Sequence, residues 1–117
     1  MNLSDLEENE RIALVGLVLQ LVRADGVTTD DELEELRALG VEMGPRLFDD
    51  AYRTARDELP TREAALAYAR QHVTRTDVQE VIHTVMADMA ATDGVADEER
   101  ALLGFVRAMW EIRTIER

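Results

Sequence analysis

A short acidic element occurs twice in this chain of 117 residues, each time between two apolar runs with helical spacing. The first copy reads ADGVTTDDE over 24–32, and the second reads TDGVADEE over 92–99. When the two Asp-Gly pairs are aligned, the upstream apolar residues match at a constant offset, as Leu17 does with Val85. The downstream residues match only if the second loop is taken as one residue shorter. A helix, an acidic loop and a second helix are therefore repeated, and an approximate twofold rotation is expected to relate the two copies.

Apolar residues recur at helical spacing along most of the chain, and no stretch alternates between apolar and polar residues as a strand would. The sequence therefore predicts an all-α fold, a compact bundle of about six helices. Thr29 and Glu32 have the spacing of a capping box at the start of the second helix, and Gly40 is expected to end it. The expected helices cover residues 5–24, 30–39, 45–58, 61–75, 78–90 and 97–115.

The length fits one domain, since a chain of this size buries roughly two-thirds of its unfolded surface around a single core. We expect one domain over residues 1–117, with the first repeat at 5–39, connector helices at 45–75 and the second repeat at 77–115. Three residues on the apolar stripes of the first, fifth and sixth helices are expected in the core: Leu17, Val85 and Val106.

The net charge of −12 restricts the partners that the chain can have. Residues 1–40 carry ten acids and three arginines, residues 41–76 carry six of each, and residues 77–117 carry nine acids and four arginines. Both repeats therefore repel nucleic acids and anionic lipid surfaces and favour cations or basic protein surfaces.

No membrane insertion is expected, because the longest apolar run, residues 12–22, is about half of the ~20 residues that cross a bilayer. The first residues lack the basic start of a secretory signal, so a cytoplasmic location is the default expectation.

The two acidic loops are the candidate functional site. Calcium, magnesium and manganese are bound in proteins mainly by carboxylate and other oxygen ligands. If the repeats pack about a twofold axis, both loops face each other and pool their charge. Neither loop has the spacing of a calcium-binding EF-hand. The candidate ligands of a divalent cation are Asp25, Asp31, Glu32, Asp93, Glu98 and Glu99.

The same residues also fit a purely structural role. The aspartates of the Asp-Gly pairs can hydrogen-bond N–H groups of the loops, and the glycines can adopt positive φ. The remaining acids can stabilise the positive ends of the helices that follow.

No set of residues amounts to a catalytic signature. The chain has no cysteine, and its only serine, Ser4, has no G-x-S-x-G motif around it. His72 and His83 are eleven residues apart and lack the i, i+4 spacing of a helical zinc pair. A metal-dependent hydrolase normally adds histidines and a cleft to its carboxylates. We therefore expect no enzymatic activity and name no catalytic residue.

The two A/T-D-G elements with trailing acids, each leading into a leucine-rich helix, resemble the TerB-like family. That family is named for a tellurite-resistance protein and is related to the N-terminal region of a membrane-anchored DnaJ-type co-chaperone. The resemblance covers nearly the whole chain, about 5–115. It implies a compact helical bundle without established enzymatic activity, associated with stress and metal resistance, whose acids are candidates for binding a metal ion. The positions that match the family's Asp-Gly pair and helix-start glutamate are Asp25-Gly26, Asp93-Gly94, Glu32 and Glu99.

Two functions stay open. One is a TerB-like module that binds a divalent cation, a partner protein or both through its acidic loops. The other is a co-chaperone-like docking domain without a metal site, whose specificity lies on an apolar or mixed surface. A partner protein is expected in either case, with a homodimer as an open alternative.

Overall fold

The computed structural model describes residues 2–23, 30–91 and 97–111, and these ranges contain helices and no strand. The radius of gyration, 13.0 Å, is close to the value of about 13 Å that a folded domain of this length has. The prediction of an all-α, single-domain bundle is therefore confirmed. After a 3-10 turn at Leu3–Asp5 come α1 (Glu8–Val22), α2 (Asp30–Met43), α3 (Pro45–Glu58), α4 (Arg62–His72), α5 (Thr76–Ala91) and α6 (Asp97–Met109).

Helix α1 lies at the centre of the bundle. Of residues 12–22, all are buried except Gln20, whose Nε2 donates to the main-chain oxygen of Leu59 at 3.4 Å. The helix packs against α3 and α4 and also contacts α5 and α6. A surface helix would have one polar face, whereas residues 12–22 of α1 are apolar on nearly all sides, as expected for a helix that neighbours surround.

Small residues allow α3 and α4 to pack closely on α1. Ala51 and Ala55 of α3 and Ala65 and Ala69 of α4 are all buried. On the α1 side, a Cβ built on Gly16 would lie 2.7 Å from Leu59 Cδ1 and 3.8 Å from the Cβ of Ala55. Short side chains at these contacts bring the helix axes together, so the bundle closes around α1.

The second helix is longer than predicted. Gly40 was expected to end it, but α2 continues to Met43 and Gly40 is a buried residue within it. A Cβ on Gly40 would lie 3.2 Å from the ring of Phe48, so this glycine leaves space for an aromatic side chain of α3. The chain turns at Gly44, whose φ of +108° is disfavoured for other residues. Pro45 then occupies the first turn of α3 as predicted.

Several other helix ends differ from the predictions. Helix α1 begins at Glu8, because the 3-10 turn occupies the residues before it. Helix α4 starts after Thr61, whose Oγ1 accepts a hydrogen bond from the Ala64 N–H at 3.1 Å, but it ends at His72 rather than near residue 75. Helix α6 ends at Met109, well before residue 115, and Glu111 adopts a left-handed φ of 53° that a continuing helix cannot have.

The core predictions are confirmed at two of three positions. Leu17 and Val106 have no exposed surface. The prediction for Val85 is wrong, because this side chain is half-buried and lines a shallow cleft between α5 and α2. The buried stripe of α5 passes instead through Ile82 and Met86. The twofold relation between the repeats, and the division of the chain into repeats and connector, stay predictions.

No helix in the described ranges is long and apolar enough to span a membrane.

Leu17→Ala is expected to lower the free energy of unfolding by about 2–5 kcal/mol, because it leaves a cavity at the centre of the bundle. Denaturant unfolding measures this change. Leu33→Ala is the matched control, since Leu33 is 47% exposed, and its effect is expected to stay within about 0.5 kcal/mol. Similar losses for both variants would contradict the central position of α1.

Candidate functional site

The six candidate ligands lie around the two acidic segments, and the structure describes only part of them. Asp25 and Asp93 lie outside the described residues. Asp31 and Glu32 belong to the first turn of α2, and their side chains are also outside the description. Of the remaining two, both in the first turn of α6, Glu98 is exposed and Glu99 is buried.

The described side chains do not by themselves form a metal site. Among them, no group of three histidine, aspartate or glutamate residues is placed to hold a metal ion. Glu98 and Glu99 are neighbours in sequence, but helix geometry turns them about 100° apart, which agrees with one being exposed and the other buried. The binding-site prediction thus depends on the aspartates of the two Asp-Gly pairs.

The positions at which α2 and α6 begin are those expected if the acids stabilise the starts of these helices. Helix α2 begins at Asp30, directly after Thr29, as the capping-box pattern predicts. Helix α6 begins with three acids, in the turn where negative charge is favoured by the helix dipole. Asp97 forms an exposed ion pair with Arg100 at 3.8 Å, an interaction of a kind that contributes little to stability.

An ion pair between a buried glutamate and an exposed arginine, which the sequence analysis missed, connects α1 with the start of α5. Glu10 is 2% exposed, and its Oε1 accepts a hydrogen bond from the Glu7 N–H at 2.7 Å. Arg75, directly before α5, donates from Nε to Oε2 at 2.9 Å and from Nη2 to Oε1 at 2.6 Å. These two parallel bonds are the strong, directional form of an arginine–carboxylate contact.

Glu10 is held in its charged form by this contact. The hydrogen bonds from Arg75 keep the pKa of Glu10 below its ordinary value of 4.5 and outweigh burial, which acts in the opposite direction. The Glu7-x-x-Glu10 spacing at a helix start is visible in the sequence. Its partner is 65 residues away, so no local pattern could reveal it.

Each of the two histidines lies near a side chain that explains its environment, Tyr68 for His72 and Arg107 for His83. The ring of His72 lies 4.2 Å from that of Tyr68, whose hydroxyl donates to Asn9 Oδ1 at 3.0 Å. Burial and the nearby guanidinium of Arg107 lower the pKa of His83, so this imidazole is favoured in its neutral form. Neither contact resembles a nucleophile–base pair.

Comparisons of the chain with protein-family models, with curated proteins and with solved structures find no match. The similarity to the TerB-like family therefore rests on the two Asp-Gly elements and the helices around them.

Glu10→Gln is expected to lower the melting temperature at neutral pH, because it leaves Arg75 without its carboxylate. A carboxylate whose pKa is lowered by folding stabilises the folded state. This stabilisation is complete above pH 4.5, the ordinary pKa of the group, and it is lost as the pH falls through the lowered pKa of the folded state. The gap in melting temperature between wild type and Glu10→Gln should therefore shrink below pH 4.5. Thermal melts from pH 7 to pH 3 measure it.

Glu34→Gln is the control, since it removes an exposed i, i+3 pair with Arg37. A gap for Glu10→Gln that stays constant over the whole pH range would show that the ion pair is not its source.

Proposed function

We propose that this protein is a non-enzymatic, TerB-like binding module. Its two acidic loops take a divalent cation, a partner protein or both, in a response to stress or to tellurite and other metal compounds. The main support for this proposal is that the acidic element is repeated after two helices, α1 and α5, that start together and pack against each other.

The contact between Glu10 and Arg75 supports a common location for the two loops. It joins the start of α1 to the start of α5, and the two helices also contact each other. They have 15 and 16 residues, so both are about 22–24 Å long. Two packed helices of nearly equal length that start together end on the same side of a bundle. Val22 and Ala91, the last residues of the two helices, are therefore expected on one side of the bundle.

The local charge supports a positively charged ligand there. Residues 24–36 carry six acids and no basic residue, and residues 92–99 carry four acids. Carboxylates brought together in this way repel one another, so a bridging cation gains direct coordination and also relieves that repulsion. Glu98 is exposed and has no ion-pair partner within the described residues, so it is available to such a ligand.

A second function, a co-chaperone-like docking domain with no metal site, is favoured by a different observation. Glu10 and Glu99 are both the third residue of a helix, and both are buried. Glu10 is structural, because its carboxylate accepts bonds from the helix start and from Arg75. If the other helix-start acids have the same role, the loops shape the bundle and a partner recognises another surface.

Millimolar calcium, magnesium or manganese is expected to raise the melting temperature by several degrees more than sodium chloride of equal ionic strength. A ligand that binds only the native state at a hundredfold excess over Kd adds about 2.7 kcal/mol, or roughly 10 °C for a domain of this size. Asp25→Asn combined with Asp93→Asn should abolish the excess without unfolding the protein. Differential scanning calorimetry measures both effects.

Asp49→Asn with Asp50→Asn is the matched control, because it removes the same charge from exposed positions of α3. This control variant should keep the full response. If no divalent ion exceeds matched sodium, the cation site is wrong and the docking function is favoured. If the control variant loses the response as well, the ions act by screening alone.

A further inference from the structure

A cleft lies between the first turns of α1 and the facing side of α3. Its volume is about 340 Å³, within the range of about 300–1,000 Å³ that small-molecule sites have. Three apolar side chains form part of its wall: Ile12, Leu47 and Ala51. We call it the α1–α3 cleft, and the rest of its wall is mainly charged.

The two helices run in the same direction along the α1–α3 cleft. A Cβ built on Gly16 would lie 3.8 Å from the Cβ of Ala55, and one turn further along, Gln20 donates to the main-chain oxygen of Leu59. Residue numbers therefore rise together on the two helices, and the cleft residues precede these contacts on both. The first acidic segment follows the other end of α1, so the cleft is separate from the proposed cation site.

Each helix contributes one acid and one arginine to the wall of the cleft. These residues are Glu8 and Arg11 of α1 and Asp50 and Arg53 of α3. In both cases the arginine follows the acid by three residues, a spacing that places two side chains on one face of a helix. The cleft thus has two negative and two positive side chains on its wall.

These four charges are not paired, although the same spacing forms ion pairs elsewhere in the chain. The sequence contains four acid-x-x-Arg combinations. The two outside the cleft are paired, Glu34 with Arg37 at 3.4 Å and Asp97 with Arg100 at 3.8 Å. Within the described ranges, none of the four charged residues of the cleft forms an ion pair. Opposite charges that share one wall without meeting can bind a ligand that carries both.

Arg11 is already oriented by a hydrogen bond. Its side chain is half-buried, and its Nη1 donates to the main-chain oxygen of Leu6. A guanidinium has five N–H donors in a planar fork, so this bond fixes the group and leaves other donors for a carboxylate. The other three charged side chains of the cleft are exposed and can adjust to a ligand.

We propose that the α1–α3 cleft binds a small zwitterion, an α-amino acid with an apolar side chain. The carboxylate of the ligand binds the arginines of the cleft, and its ammonium group binds the acids, in charge-assisted hydrogen bonds. The side chain of the ligand lies against the apolar part of the wall and is removed from water there. No residue of the acidic segments takes part.

The charge of the molecule favours a ligand without net charge at this position. The net charge of −12 repels small anions, but residues 41–76, which include α3, carry six acids and six arginines. A simple anion would place its charge beside the two acids of the cleft, and a simple cation would place its charge beside the two arginines. A zwitterion offers each group of the wall an opposite charge.

Isothermal titration calorimetry of the full chain with L-leucine at neutral pH tests the proposal, in EDTA so that no divalent cation contributes. Two analogues keep the branched apolar group but carry one charge each: 4-methylpentanoate has only the carboxylate, and isopentylamine has only the ammonium group. Leucine should bind with a Kd in the micromolar to millimolar range. Each analogue should bind at least about tenfold more weakly, because it loses one set of charge-assisted hydrogen bonds.

Two double variants locate the site. Asp50→Asn combined with Arg53→Gln keeps the net charge, and it should weaken leucine binding by at least about tenfold. Glu34→Gln combined with Arg37→Gln is the matched control, because it removes a pair with the same spacing from α2, and it should bind leucine as the wild type does. All four side chains are exposed, so both variants should melt close to the wild type. A loss of binding is then not a loss of the fold.

Three results would overturn the proposal. The first is that leucine, valine and phenylalanine at about 10 mM give neither heat of binding nor a rise in melting temperature. The second is that both single-charge analogues bind as tightly as leucine, which would show that the cleft does not recognise the two charges together. The third is that the double variant of the cleft binds leucine like the wild type, which would place the site elsewhere on the molecule.

Discussion

The burial of α1 determines where the other helices of the bundle can lie. A helix whose residues 12–22 are apolar on nearly all sides must be surrounded, and a chain of this length has enough helices to do so only if most of them contact it. The neighbours meet this requirement with small residues, at Ala51 and Ala55 of α3 and at Ala65 and Ala69 of α4. Gly16 allows the same close approach from α1 itself. Removing atoms from the centre of such a core therefore affects every helix that contacts it.

Polar groups enter this core at helix starts, where backbone N–H groups need acceptors. Glu10 shows how a carboxylate is accommodated there, since it accepts a bond from Glu7 and two from Arg75 while almost fully buried. A buried carboxylate without such partners would be strongly unfavourable. The same bonds fix α5 relative to α1, so a local requirement of one helix start determines the packing of two distant segments. An acidic residue at the start of a helix can thus be part of the fold, and evidence beyond charge is needed to assign it to a ligand.

The sequence predicted those features of the fold that depend on residues close together in the chain. The existence and type of the helices follow from apolar spacing, and the bounds of α3 follow from Pro45 at its start and Leu59-Pro60 after its end.

The features that the sequence did not predict depend on contacts between distant segments. Gly40 was misassigned because a glycine can also allow close packing, and the ring of Phe48 that needs this space belongs to another helix. Val85 was misassigned because periodicity identifies a stripe but not how far a neighbour covers its edge. The contact between Glu10 and Arg75 has no local signal. The acidic candidate residues were identified from the repeat, whereas their arrangement depends on segments outside the described residues.

The two repeats share their helices but differ at their outer surfaces. Their first helices, α1 and α5, supply much of the core, with Leu17 and Met86 among the fully buried side chains. Their second helices carry different residues on the outside: α2 exposes Val41 and the Glu34–Arg37 pair, and α6 exposes Phe105 and the Asp97–Arg100 pair. The inner faces are constrained because a close-packed core needs complementary shapes. The outer faces are under no such constraint, so the second helices can differ there without disturbing the core that they share.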